Sequence, residues 1–470
     1  MPWLSLVGSL VMVVLLWTGA ARAQAPSTLE GVAATPPQTG TARVFGPPGV
    51  LCPELITQFG TAGGAIGDLR DRCNELVQHS ANPTEAANVQ AGLQQTAGVQ
   101  GTALNSAKVN TALQFASITA RLATLRAGGV GIGLGGFALA PPESLPGPRV
   151  ASLGGDQVAQ AAPSAGESPA GRWGVFLTGM YTTGDVEATS REAGYDFKGG
   201  GVTGGVDYRL TPNVILGFAL GYAATSVDFS DNGGKVNVDD LLASVYGTYY
   251  VTDQFYVDGI ATVLWSSYDL ARAIRYSIPT VSPVGTGVTN VSQTAKSDPD
   301  GLGFGVGTAA GYDFNWGALT AGPIGRVNYV WSKVNGYRER IDGTAPGFGL
   351  GLDVEDQTVE SLVTGLGGQV SYAISTTVGV FVPQLRFEWV HEFLNNARAY
   401  QARFLNDPTP GPATTVQWST DNPDRNFFNL AVGVAATFAR GVSAFVYYDT
   451  VLDLRDVTQH RIAGGLRVTF

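Results

Sequence analysis

The sequence predicts an all-β transmembrane fold: a 12-stranded antiparallel outer-membrane β-barrel preceded by a small N-terminal α-helical segment. Three observations carry this. From Arg172 to Phe470 apolar and polar residues alternate with a period of two, and beyond the first residues no apolar run approaches the length of a membrane-spanning helix. Composition agrees: 14% of residues are charged, 63 of 470 are glycine and mean hydropathy is near neutral. A spanning helix needs ~20 consecutive apolar residues. A barrel strand carries its apolar side chains on one face only, so its hydropathy stays modest.

The first residues, Met1 to Thr18, include an apolar run from Val7 to Trp17 that is too short to span a bilayer and suits a secretory leader. Ala21-Arg22-Ala23 then predicts cleavage before Gln24, making residues 1–23 a signal peptide, although its start carries no Lys or Arg. Residues 24–49 are rich in Pro, Gly, Ala and Thr with few large apolar side chains, which predicts a disordered segment. Residues 50–127 are expected to form a helical exported segment, acting as a short passenger or a pore helix. Leu55, Ile56, Phe59, Ile66, Leu69, Cys73, Leu76 and Val77 follow a 3/4 spacing broken by glycines, so Cys52 to His79 should form one interrupted helix or two short ones. A second helix should start at Asn82 as N-cap, with Pro83 and Glu85 in its first turn, and stop after Arg126 at Gly128-Gly129. Residues 128–170 are a Gly/Pro/Ala-rich linker. The G-x-G-x-x-G run Gly131 to Gly136 lies within it without a preceding strand, so it is linker glycine rather than a dinucleotide site.

Cys52 and Cys73 are the only cysteines, and an exported chain meets an oxidising compartment, so a disulfide is expected. Closing that loop stabilises by roughly 3 kcal/mol in the chain-entropy model.

Residues 171–470 form the barrel. Twelve strands are expected near 172–184, 195–210, 214–230, 235–251, 255–276, 299–314, 318–338, 357–374, 378–396, 425–439, 441–453 and 456–470. Their connections alternate: tight turns at 211–213, 252–254, 315–317, 375–377 and Arg440, long ones at 277–298, 339–356 and 397–424. Short turns mark the periplasmic rim and long loops the outside. In the strand near Val380, Phe381, Leu385, Phe387 and Trp389 share a lipid-facing side, and Arg386 and Glu388 share a lumen-facing one. The last strand repeats this, with Leu466 and Val468 toward lipid and Arg461 and Arg467 toward the lumen. Arg326 is also placed inward, in a wet network of ion pairs.

Val382-Pro-Gln-Leu-Arg-Phe-Glu-Trp-Val-His-Glu-Phe393, Pro323-Ile-Gly-Arg-Val-Asn-Tyr329 leading to Gly336-Tyr-Arg-Glu339, and the terminal Gly464-Gly-Leu-Arg-Val-Thr-Phe470 resemble the translocator barrel of the autotransporters, type Va secretion. The resemblance spans residues 171–470. It implies a barrel in the bacterial outer membrane that conducts its own N-terminal segment to the cell surface, with Phe470 as the assembly signal. It also implies barrel-assembly machinery and periplasmic chaperones as partners, besides outer-membrane lipid. The pattern departs in two places: residues 24–170 show no solenoid repeat, and Pro163 and Pro169 interrupt the position of the family's pore helix. A piece of residues 103–170 is nonetheless expected to fill the pore. Some relatives cut themselves at an Asn before the first strand; residues 128–170 contain none, so the segment should remain attached.

No catalytic, cofactor-binding or metal residues are expected. The histidines His79, His391 and His460 fall outside any nucleophile, base or ligand spacing, and His391 and Glu392 are strand neighbours pointing to opposite faces. A net charge of −10 without a Lys/Arg cluster speaks against nucleic acid. A surface ligand for the exported segment is left unnamed. Two other readings stay open: a plain channel or structural barrel whose N-terminal region is periplasmic, and, third, a barrel-borne hydrolase.

Overall fold

The computed structural model describes residues 28–46, 51–99, 173–281, 287–394, 396–422, 424–438 and 442–469, excluding the side chains of the last three. The barrel strands are β1 (Trp173–Val186), β2 (Tyr195–Thr211), β3 (Val214–Phe229), β4 (Gly234–Tyr250), β5 (Phe255–Pro279) and β6 (Asp300–Tyr312). They continue with β7 (Leu319–Val334), β8 (Gln357–Tyr372), β9 (Gly379–Glu392), β10 (Asn426–Phe438), β11 (Val442–Leu452) and β12 (Val457–Thr469). Each pairs antiparallel with the next. The ring closes where β1 meets β12, in register from Gly174↔Thr469 to Val186↔Val457. Closure is what lipid demands, because an open edge would leave unpaired N–H and C=O groups in hydrocarbon.

Alternation along the strands sets a lipid belt. Outward side chains of β1 are Trp173, Val175, Leu177 and Tyr181, and those of β3 are Leu216, Phe218, Leu220 and Tyr222, all exposed. Trp173, Tyr249, Trp316 and Tyr372 mark the rim with the tight turns, and Tyr181, Tyr222, Trp265 and Trp389 mark the other, both rings exposed. The eight residue steps from Trp173 to Tyr181 rise about 26 Å along the strand. At a tilt of ~40° that is roughly 20 Å along the membrane normal, close to the ~25 Å apolar band flanked by aromatic girdles in such barrels.

Above the outer girdle the polarity of β5 inverts. Outward positions become Ser267, Asp269, Arg275 and Ser277, all exposed. Inward positions Tyr268, Leu270, Arg272, Ile274, Tyr276 and Ile278 are at most 6% exposed. The strand has left the bilayer, and its inner face now meets protein. The return strand Val288–Ser297 pairs with this extension, so most of the segment expected as a loop at 277–298 is a projecting hairpin. The long connections after β7 and β9 contribute a second sheet of four short strands, Tyr337–Arg338, Leu352–Val354, Ala399–Phe404 and Thr415–Ser419; the last three lie within segments expected as loops, and the first is the end of the strand expected at 318–338.

Helices α1 (Thr28–Val32), α2 (Pro36–Phe45), α3 (Leu51–Gln58), α4 (Gly64–His79) and α5 (Ala86–Thr96) pack against this outer crown. The Cys52–His79 region is two helices, and Asn82 caps the turn before α5 by accepting from the Thr84 N–H at 3.1 Å. The disordered segment expected at 24–49 is corrected over residues 28–46, which form α1 and α2. Locally, Thr35 and Gln38 make a capping box with Pro at the first turn. Non-locally, the few large apolar residues find partners far away: Phe45 is fully buried and stacks on Phe404 with ring centroids 4.9 Å apart. Expectations on the signal peptide, the linker, the helix beyond residue 99 and the pore-filling piece of 103–170 lie outside the described residues.

The belt assignment makes a direct prediction. Phe218→Arg, at mid-belt between Tyr249 and Tyr222, costs about 2–4 kcal/mol, whereas Asp269→Arg, above the outer girdle, costs almost none. The heat-modifiable, folded fraction on gels should fall for the first and stay at the wild-type level for the second.

Candidate functional site: lumen and outer crown

In the belt the inward faces are polar. Glu388 of β9 is fully buried, with the Arg326 Nε at 3.0 Å and the Arg386 Nε at 3.3 Å. Arg326 reaches it across the barrel wall from β7 because the intervening β8 carries glycines: Gly365 pairs with Arg326 and Gly367 with Glu388, and a Cβ at either would collide with those side chains. Arg461 forms a separate pair with Asp449 at 2.7 Å. Of the residues expected to face the lumen, the structure brings Arg326, Arg386 and Glu388 into one cluster and Arg461 into another; the Arg467 side chain lies outside the described residues. On the lipid side, Leu385, Phe387, Trp389 and Leu466 are exposed and Phe381 is half-buried. Val468's side chain and Phe470 lie outside the described residues.

The neighbours His391 and Glu392 diverge as their strand requires. His391 is hydrogen-bonded outward to Asn426 at 2.8 Å, while Glu392 turns inward to Ser361 and to the Leu362 N–H. His460 contacts the Tyr448 hydroxyl at 2.8 Å. Among the described residues no group of three or more His, Cys, Asp or Glu side chains has the geometry to hold a metal ion.

The crown was not anticipated, and it holds the densest buried charge outside the membrane. Arg272 of β5 is 1% exposed; its Nε donates to Glu339 at 2.7 Å, and its Nη groups reach the carbonyls of Gln95, at the end of α5, and Leu350. Asp68, Arg72 and Glu75 occupy one face of α4 and are buried against the loops. Asp68 accepts from the Gly347 N–H at 3.0 Å and the Gly349 N–H at 2.8 Å. Glu75 accepts from the Thr289 hydroxyl at 2.6 Å and lies 3.1 Å from the Arg72 Nη1. The 343–350 loop can clasp the helix because of its glycines: Gly347 has φ +97°, and a Cβ on Gly349 would sit 2.3 Å from the Ala65 carbonyl oxygen. The available sequence signal was the continuation of period-two alternation past Trp265 into Tyr268, Leu270, Ile274 and Tyr276, too long a strand for a membrane.

α3 and α4 are joined by the bond between Cys52 and Cys73, whose Cα atoms are 5.9 Å apart. A separate cavity of about 670 Å³ opens among the outer connections, lined by Tyr195, Phe197, Glu192, Glu360, Arg398 and Asp456 among others.

A closed antiparallel barrel with an apolar belt, two aromatic girdles and a charged lumen defines a bacterial outer-membrane β-barrel protein. The Autotransporter beta-domain family matches residues 175–449, and the chain belongs to that family. Outer membrane protein B of Rickettsia rickettsii is 26% identical over 335 residues, covering 69% of this chain and 19% of that protein. The Escherichia coli (strain K12) protein YaiT is 24% identical over 245 residues, 51% of this chain and 23% of its own. The chain thus spans a quarter or less of these curated relatives. Among solved structures, the translocator domain of NalP from Neisseria meningitidis aligns with a TM-score of 0.47 at 15% identity, covering 64% of this chain and 88% of that one. The beta domain of the Bordetella autotransporter BrkA aligns at 0.41 and 16% identity, covering 64% and 100%. The protein resides in the bacterial outer membrane.

Two predictions follow from the crown. Burial pushes the Glu75 carboxyl up to about 7, against the pull of Thr289 and Arg72, and burial also raises Asp68 against the Gly349 and Gly347 N–H groups. A carboxyl raised in the docked state stabilises docking fully below its ordinary value of 4.5, and that contribution is lost as pH rises through about 7. Hydrogen exchange in α4, corrected for intrinsic rate, should therefore be slower at pH 5 than at pH 8, and Glu75→Gln should flatten the difference. Mass analysis of non-reduced protein should show Cys52 linked to Cys73, and replacing both with Ser should cost roughly 3 kcal/mol in the helical segment.

Proposed function

We propose that the barrel carries its own N-terminal segment across the outer membrane and holds it, uncut, at the cell surface as a small helical cap. The observation that supports this is topological. Gly98 sits against Leu352 and Tyr400 in the crown, whereas Trp173 begins β1 at the tight-turn rim, on the other side of the lipid belt. A covalent connection between them has to cross the bilayer. Residues 100–172 hold no run of ~20 consecutive apolar residues that could cross as a helix, and a polar lumen is the route that leaves no backbone group unsatisfied in lipid. The strand order supports the outward direction: the crown is built from the long connections, which face outside in such barrels.

The relatives' names identify outer-membrane proteins and leave the displayed segment's ligand open. With α1–α5 in the crown, the displayed surface is a polar helical one, and the charges of the lumen fix the barrel wall rather than reacting.

An epitope inserted in the exposed 81–84 turn tests this reading. Antibody should bind intact cells, and the chain should run as one species retaining both epitope and barrel. Labelling only after lysis would return the segment to the periplasm; a separate, barrel-free epitope fragment would remove the claim that it stays attached.

A further inference from the structure

We infer that the outer crown is a folding template: helices α1–α5 acquire their structure only by docking into it, and the barrel's outer loops supply the missing half of their core. The largest buried cluster shows the division. Its buried apolar members among the described residues are 14 from residues 28–99 and 22 from the barrel strands and loops. The helices have 5, 10, 8, 16 and 11 residues. Isolated helices below ~12–15 residues are marginal in water, which leaves only α4 above that length, and a segment of this size builds at best a marginal core of its own.

Within α1 only Leu29 is buried, and α2 turns Ala42, Val44 and Phe45 toward crown and helix partners alike. Phe45 packs on Phe404, Gly92 of α5 lies where a Cβ would touch Tyr276, and Gly40 lies where one would touch the Gln417 carbonyl. The polar groups divide the same way. Asp68 finds its donors at Gly347 and Gly349, Glu75 at Thr289, and the Gln95 carbonyl completes the coordination of Arg272. Undocked, the helices would keep one cross-link, Cys52–Cys73, and would leave these carboxylates and the facing apolar surface in water. An undocked segment is therefore extended and fit for passage through a narrow lumen, and it becomes compact only where the crown is.

The test uses the full chain, purified as assembled barrel, and reads hydrogen exchange residue by residue. Gly349→Val places a side chain against the backbone of α4, and Trp418→Ala removes a crown ring from beneath α2. Each variant is expected to speed exchange by about tenfold or more throughout α1–α5 as one unit, with the belt strands unchanged. Loss confined to the helix nearest each substitution, with the other helices at wild-type protection, would overturn the inference because the helices would then hold themselves together. Unchanged exchange in both variants, or loss spreading through the belt strands, would overturn it too. These outcomes are distinguishable from failure of surface display, which is read by antibody on cells and does not depend on what holds the helices together.

Discussion

Everything in this molecule depends on the hydrogen-bonded seam between β1 and β12. Strands residing in hydrocarbon cannot satisfy their edges with water, so the first and last must find each other across almost 300 residues of chain. Once that pairing is made, inside and outside are defined for every strand, and the alternation of side chains becomes a division between lumen and lipid. The register also fixes height. Trp173, Tyr249 and Trp316 fall at one girdle and Tyr181, Tyr222 and Trp265 at the other because the seam sets where each strand begins.

The same period-two alternation carries two meanings along β5. Up to Trp265 the outward positions are apolar and the inward ones include Asp258, Thr262 and Ser266; beyond it Asp269 and Arg275 point outward while Ile274 and Ile278 point inward. The medium on the outer side changes from lipid to water, and that on the inner side from a polar lumen to packed helices. Nothing in the backbone marks the transition, which is encoded by which face is apolar. Arg272 stands on the newly apolar face and tolerates it because Glu339 and two carbonyls surround it, an arrangement that specifies how the hairpin meets its neighbours more than it stabilises them.

The contrast between what the sequence reveals and what it conceals has a physical origin. The barrel was legible because its signal is local and repeated: alternation in Val380 to Phe393, tight turns at fixed intervals and an even strand count need no knowledge of distant partners. The inward placement of Arg386 and Glu388 was legible for the same reason, but their joint pairing with Arg326 depends on Gly365 and Gly367 in the strand between, which only register reveals. The segment 28–46 was misread because its apolar residues are few and its partners lie hundreds of residues away, as Phe45 and Phe404 do. The hairpin after β5 was taken for a loop because a strand that outgrows the membrane violates the length by which membrane strands are recognised.

The clasp of Gly347 and Gly349 around α4 limits how this surface can change over time. Loops at the outside of a barrel ordinarily drift, since water tolerates most side chains. Here Gly347 and Gly349 are pressed against a helix of the same chain and leave little room for a side chain, while the outward residues 343–346 of the same loop are exposed. In this loop, room for new side chains is thereby confined to one side, leaving an exterior that can be repainted over an interior that cannot be moved.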